Sequence, residues 1–281
     1  MTTRSRINTL VTAATVTIVS VSAALSQTQS DVLPGDVTKA RLQPIVKGIL
    51  AAWDKADVVC LGEIHGNKND SDLRITLVER PDFVRKVKVI IVEFGNVSHQ
   101  DVLDRFILDG EDMPREMLRT VWADANGHVA WESPIYEAFL RAVRKANLAV
   151  PRQERVRVLA GDDPRDSDRS RFIRENVIRE ILDKRLKGLT IYGAGHCTKY
   201  AGYPKEIGDK YPGKIWAAFS VLDETEGRRM FGLGDAPTLI QITGTDKAKL
   251  FLSPDKRGLR LRDVSDAMVY YGNLGDVGGG H

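Results

Sequence analysis

The stretch 57-DVVCLGEIHG-66 decides the fold. Val58, Val59, Cys60 and Leu61 form an unbroken apolar run, and polar residues begin abruptly at Glu63 between two glycines. Such a run predicts a strand buried on both faces, the environment that a parallel sheet covered by helices provides. The pattern returns at 87-VKVIIVEF-94, 155-RVRVLAG-161 and 189-LTIYGAG-195, each preceded by helix-like sequence. Before the first strand, residues 45–56 place Ile45, Ile49, Leu50 and Trp53 on one helical stripe. The alternation predicts an α/β fold, a mainly parallel sheet flanked by helices. Residues 98–150, including 135-IYEAFLRAVRKA-146, predict a helical insertion that forms a subdomain or lid between two strands. The segments 214-KIWAAFSVL-222, 237-PTLIQITG-244 and 267-AMVYYG-272 predict later strands along one edge.

Composition fits one such domain, spanning residues 37–274. A chain of 281 residues with 42% hydrophobic and 28% charged side chains excludes disorder, collagen and coiled coil. The formal charge is +3, but bases alternate with acids, as in 168-DRSRFIRENVIRE-180. That pattern predicts solvated helix faces and no nucleic-acid partner. Residues 1–26 carry Arg4 and Arg6, an apolar run from Leu10 to about Val21 and then small residues, which predicts a secretory signal peptide. The run is short of the ~20 apolar residues that span a bilayer, and no cysteine lies near the cleavage region for a lipid anchor. The expectation is a secreted or periplasmic protein, not a lipoprotein, with no stable membrane insertion after cleavage between Ala24 and Ser30. Residues 27–36 read as a linker and 275–281 as a flexible Gly-rich tail. Cys60 and Cys197 are expected as buried free thiols; an oxidising compartment would also permit them to pair.

Chemistry concentrates where the four apolar strands end, at 62-GEIHG-66, 92-VEFGN-96, 160-AGDDP-164 and 193-GAGHC-197. In an open parallel sheet these ends share one edge, where such folds bind ligands. Glu63, His65, Glu93, Asp162 and His196 are therefore expected around one crevice. Glu93 interrupts the run VIIVEF, where an ionised side chain must be paired. A buried acid beside two histidines defines a proton-transfer or metal site. In 69-NDSDLR-74, Asn69, Asp70 or Ser71 is expected to cap a helix, and Arg74 either holds an anionic substrate group or pairs with Glu63 or Glu93. Asp162, Asn69 and Asp72 are assigned to substrate binding. His99 and His128 read as surface residues. The chain has no G-x-S-x-G elbow, H-E-x-x-H helix, Walker loop or G-x-G-x-x-G turn, which removes support for the usual serine hydrolases, zincins, P-loop enzymes and dehydrogenases.

A strand ending in 62-GEIH-65, a second ending in Glu93 and a later one ending in 193-GAGH-196 resemble the superfamily of erythromycin esterases, ChaN haem-binding proteins and Tiki/TraB proteins. The resemblance runs from Val58 to His196, and 266-DAMVYYG-272 is similar to the closing strand of esterase-like members. It implies an α/β fold with Glu63, His65, Glu93 and His196 as the polar centre and Arg74 as a matching helix arginine. Esterase-like members use a histidine to activate water, Tiki-like members are regarded as metal-dependent proteases, and ChaN-like members bind haem.

Two functions follow. The first is an exported hydrolase of an ester, lactone or amide in a small-molecule or peptide substrate. In it His65 is the general base, Glu63 or Glu93 orients it, and His196 or Arg74 stabilises the oxyanion. A Zn, Mn or Co ion on His65, His196 and Glu93 would assist. The second is haem binding without catalysis, with Tyr200 or Tyr203 as the iron ligand.

Overall fold

The strand and helix signals are realised in a computed structural model that describes residues 35–123, 125, 129–221, 223–252 and 258–274. Residues 1–26, expected as a signal peptide, residues 27–34 of the expected linker, His128 and the expected tail 275–281 lie outside the described residues. The order is α1 (Asp36–Ala52), β1 (Val58–Glu63), α2 (Lys68–Val78), α3 (Pro81–Lys86), β2 (Val89–Asn96), α4 (Gln100–Asp104), α5 (Arg115–Ala123), α6 (Pro134–Leu148) and β3 (Arg157–Asp162). There follow α7 (Arg169–Val177), β4 (Gly188–Gly193), α8 (Tyr203–Gly208), β5 (Ile215–Ser220), α9 (Glu224–Phe231), β6 (Thr238–Gln241), α10 (Leu261–Val264) and β7 (Ala267–Tyr270).

Among the described residues seven strands form one sheet in the order β3-β2-β4-β1-β5-β7-β6. All neighbours are parallel except β6, which runs antiparallel to β7 and closes the edge predicted for the later strands. β1 lies between β4 and β5, in register from Val58↔Gly188 to Glu63↔Gly193 on one side. The four motif-bearing strands are therefore contiguous, and their carboxyl ends share one half of the sheet edge.

Side chains alternate across the sheet, as the two-residue period of a strand requires. Val59, Leu61, Ile90, Val92 and Phe94 face a core shared with α1, α2, α5 and α6. Val58, Cys60, Val89 and Ile91 face a second core with Ile173, Val177, Tyr203 and Ile207. Both faces are covered, which is why the strand runs carry so few polar residues. Leu118, Trp122, Phe139, Leu140 and Val143 of the inserted helices belong to the first of these cores. The insertion is thus a layer over the sheet rather than a detached subdomain or lid. Among the described residues no helix is long and apolar enough to cross a membrane.

Cys60 and Cys197 are joined in a disulfide, with Cα atoms 5.7 Å apart, which corrects the expectation of free thiols. The turn after β4 folds back over the face of β1 that Cys60 occupies. Gly62 allows that approach: a Cβ there would lie 2.8 Å from Ala194 Cα.

Candidate functional site

β1 delivers Glu63, whose buried carboxylate has three side-chain partners. Its Oε1 accepts from His65 Nδ1 at 2.8 Å and from Tyr136 Oη at 3.0 Å, and its Oε2 accepts from the Arg74 guanidinium. Burial alone would raise the Glu63 pKa, but Arg74 and His65 outweigh it and hold the carboxyl below its usual range. His65 shows the reverse balance. Burial pulls its imidazole down, while Glu63 and then Glu93 outweigh burial and hold it above the ordinary value. Trp131 stands edge-on to the His65 ring, with centroids 4.6 Å apart.

β2 delivers Glu93, 3% exposed. Its Oε2 accepts from the Gly193 backbone N–H at 2.6 Å and its Oε1 from Arg169 Nη2 at 2.9 Å. The two histidines flank it: His65 Nε2 lies 3.9 Å from Oε2 and His196 Nε2 lies 3.6 Å from Oε1. β3 delivers Asp162, 2% exposed, whose Oδ1 accepts from Arg169 Nε at 2.8 Å while Oδ2 has no hydrogen-bond partner among the described residues. Burial raises the Asp162 pKa against the opposing pull of Arg169. For His196, burial is the largest influence and lowers its pKa; the fields of Arg169 and His65 add to this against Glu93. The site thus pairs an imidazole held toward its charged form with one held toward its neutral form.

Glu63, His65, Glu93, Asp162 and His196 converge as the strand ends require, and other assignments change. Arg74 is buried against Glu63 and not Glu93, so its guanidinium has no face to offer an anionic substrate group. Asn67 caps α2 by accepting from Asp70 N–H, in place of Asn69, Asp70 or Ser71. Asn69 sits in the first turn of α2, and both oxygens of Asp72 accept from Lys68 Nζ at 2.7 Å, which occupies that carboxylate within its own helix. Asp70 instead ties the first loop to the far half of the sheet: Oδ2 accepts from Ile64 N–H at 2.8 Å and Oδ1 from Ser220 Oγ and Tyr271 Oη. Among the described residues no group of three or more metal-donor side chains is placed to hold an ion. Of the residues expected to hold Zn, Mn or Co, Glu93 accepts from Arg169 and Gly193 through its two oxygens and His65 bonds Glu63 through Nδ1.

Arg169, Tyr136 and Trp131 escape the sequence reading. Arg169 lies in a charge run that reads as a solvated face, yet it bridges Glu93 and Asp162. Its usable signal is position, a cation at the start of the helix that follows a strand ending in an acid.

Beside this centre lies a cleft of about 370 Å³. Phe219, Val221, Met230, Phe231, Leu261 and Met268 give it apolar walls, Asp223 and Glu226 add two carboxylates, and Gly195 and Thr198, on either side of His196 and Cys197, line its near side with Tyr200. Tyr200 is 40% exposed. Tyr203 is not available to a ligand: it is buried, bonded to Thr190 Oγ1 at 2.5 Å, and burial raises its hydroxyl pKa.

Fold and site together define an α/β protein with a buried acid–histidine centre at the strand ends and an apolar cleft against it. Residues 49–170, which include 62-GEIH-65 and Glu93 but end before 193-GAGH-196, match the family described as haem-binding uptake, Tiki superfamily, ChaN, which bears out the ChaN-like resemblance. The fold is shared with a Bacillus cereus protein of known crystal structure at 12% identity, over 80% of this chain and 90% of that one, with a TM-score of 0.53. ChaN of Campylobacter jejuni, solved with cofacial haem binding, aligns at 14% identity over 81% of this chain and 90% of that one, with a TM-score of 0.46. No curated protein matches the chain.

Proposed function

We propose that the protein binds haem in the apolar cleft, with Tyr200 as the iron ligand, and carries it outside the cytoplasm after export. The observation that carries this reading is Tyr200, 40% exposed, on the wall of a mainly apolar cleft that Asp223 and Glu226 also line. A porphyrin is a flat apolar plate with an axial position to fill. The cleft volume lies within the range of small-molecule sites, and its residues fit the group: Phe219, Met230, Phe231 and Met268 can hold the macrocycle, and a tyrosine oxygen is an established axial donor. Bound haem would supply redox-active iron. The family match supports the same ligand class. Titrating the mature protein with haemin is expected to give a Soret band that saturates. Tyr200→Phe should weaken binding at least about tenfold, or ~1.4 kcal/mol, and Tyr203→Phe should not. A flat titration, or a Tyr200→Phe affinity equal to wild type, would refute the proposal.

One observation favours hydrolysis as a second reading: two histidines facing one carboxylate with pKa values pushed apart, the mark of an acid–base pair. The roles then reverse from the sequence expectation. His196, held neutral, is the base, and His65, held toward imidazolium, is the acid or electrostatic stabiliser. In an NMR titration His65 should titrate above 6.5 and His196 below it. Because the folded His65 value is the higher one, its contribution to stability is complete below pH 6.5 and is lost as pH rises through the folded value. The opposite order would remove the acid–base assignment, and a blank ester, lactone and peptide panel would remove the hydrolase.

A further inference from the structure

The turn formed by residues 194–202 serves both halves of the site. It presents His196 to Glu93, and through Ala194, Gly195, Thr198 and Tyr200 it builds one wall of the cleft. Its noncovalent ties to the rest of the protein include Lys199 N–H to Val264 O at 2.9 Å and Lys199 Nζ to Asp266 Oδ1 at 2.7 Å. The covalent tie is Cys60–Cys197, from the middle of β1 to the residue after His196.

The sheet does not need this bond for its alignment. β1 and β4 are already paired from Val58↔Gly188 to Glu63↔Gly193, and the cross-link runs from Cys60 inside that ladder to Cys197 in the turn beyond its end. What it fixes is the turn. We infer that the Cys60–Cys197 disulfide is the positioning element of the ligand cleft, holding the wall that carries Tyr200 and the loop that carries His196 in their binding arrangement. Without it the turn samples other arrangements, and affinity falls by the fraction of molecules that remain competent. The inference rests on the haem reading of the cleft.

The test uses haemin as the probe. Oxidised wild-type protein is titrated first, since absence of a Soret band there overturns the haem reading and this inference with it. Cys60→Val/Cys197→Ala, which keeps apolar groups at both buried positions, should then bind about tenfold more weakly or worse while retaining the far-ultraviolet signature of the sheet and helices. Val143→Ala, a core truncation in α6 remote from the cleft, lowers stability as well but should keep wild-type affinity. Gly202→Ala provides a second perturbation of the turn with the disulfide intact, because a Cβ at Gly202 would lie 2.2 Å from the His196 carbonyl oxygen. It should weaken binding through the turn itself, and if the cysteine pair fails to fold, haemin titration of wild-type protein with the disulfide reduced decides the matter, an about tenfold weaker affinity being expected. A Soret band with wild-type affinity in the turn-perturbed proteins, or an equal loss in Val143→Ala, overturns the inference while leaving the haem reading in place.

Discussion

Replacing Arg74 with alanine is expected to lower the free energy of unfolding by about 3–5 kcal/mol, the cost of stranding one partner of a buried ion pair. Glu63 would keep His65 and Tyr136 but lose the cation that holds its carboxylate ionised against burial. The stranded acid would take up a proton, and the orientation of His65 would weaken with it. Glu63→Gln/Arg74→Met should recover much of the loss, because it removes both charges and keeps similar volume. In the wild type the Glu63 contribution is present above pH 4.5, the ordinary value, and is lost as pH falls through the lower folded value. Denaturant unfolding at several pH values measures all three. A loss below about 1 kcal/mol for Arg74→Ala, the scale of an exposed pair, would contradict the buried arrangement.

The second large effect belongs to the disulfide. Cys60 and Cys197 are separated by 137 residues, and closing a loop of that length removes enough chain entropy from the unfolded state to stabilise the fold by about 5 kcal/mol. Loss of the bond in Cys60→Val/Cys197→Ala should therefore lower the denaturation midpoint markedly at an otherwise intact sheet. This is an effect on the unfolded chain and is separate from the local positioning of residues 194–202. A midpoint within experimental error of wild type would show that the bond is not formed in the purified protein.

The sheet was legible because its strands are buried twice over. VVCLG, VIIVEF, RVLAG and LTIYG carry apolar residues on both faces, and such runs fit few other environments. Glu93 was legible for the same reason, since an acid in such a run must find partners. The partners themselves were not. Arg169 sits among arginines and acids whose one-dimensional pattern is that of a solvent-facing helix, and only the adjacency of β2 and β3 gives it two acids to bridge. The Cys60–Cys197 pairing depends on a turn folding back across β1, which no local pattern encodes. The cleft was hidden because Phe219, Met230, Leu261 and Met268 read as ordinary core, and what leaves a gap between them is the way α9, α10 and β7 meet. Arg74 shows the converse limit: both partners proposed for it lie at the strand ends, and packing selects Glu63.

The central claim is that the apolar cleft beside His196 is a haem site. The most direct measurement is a crystal structure of the protein grown with haemin, which should show the macrocycle between Phe219, Met230 and Met268 with its iron bonded to Tyr200 Oη. Iron bonded instead to His65 or His196, or haemin absent from the cleft at saturating concentration, would contradict the account.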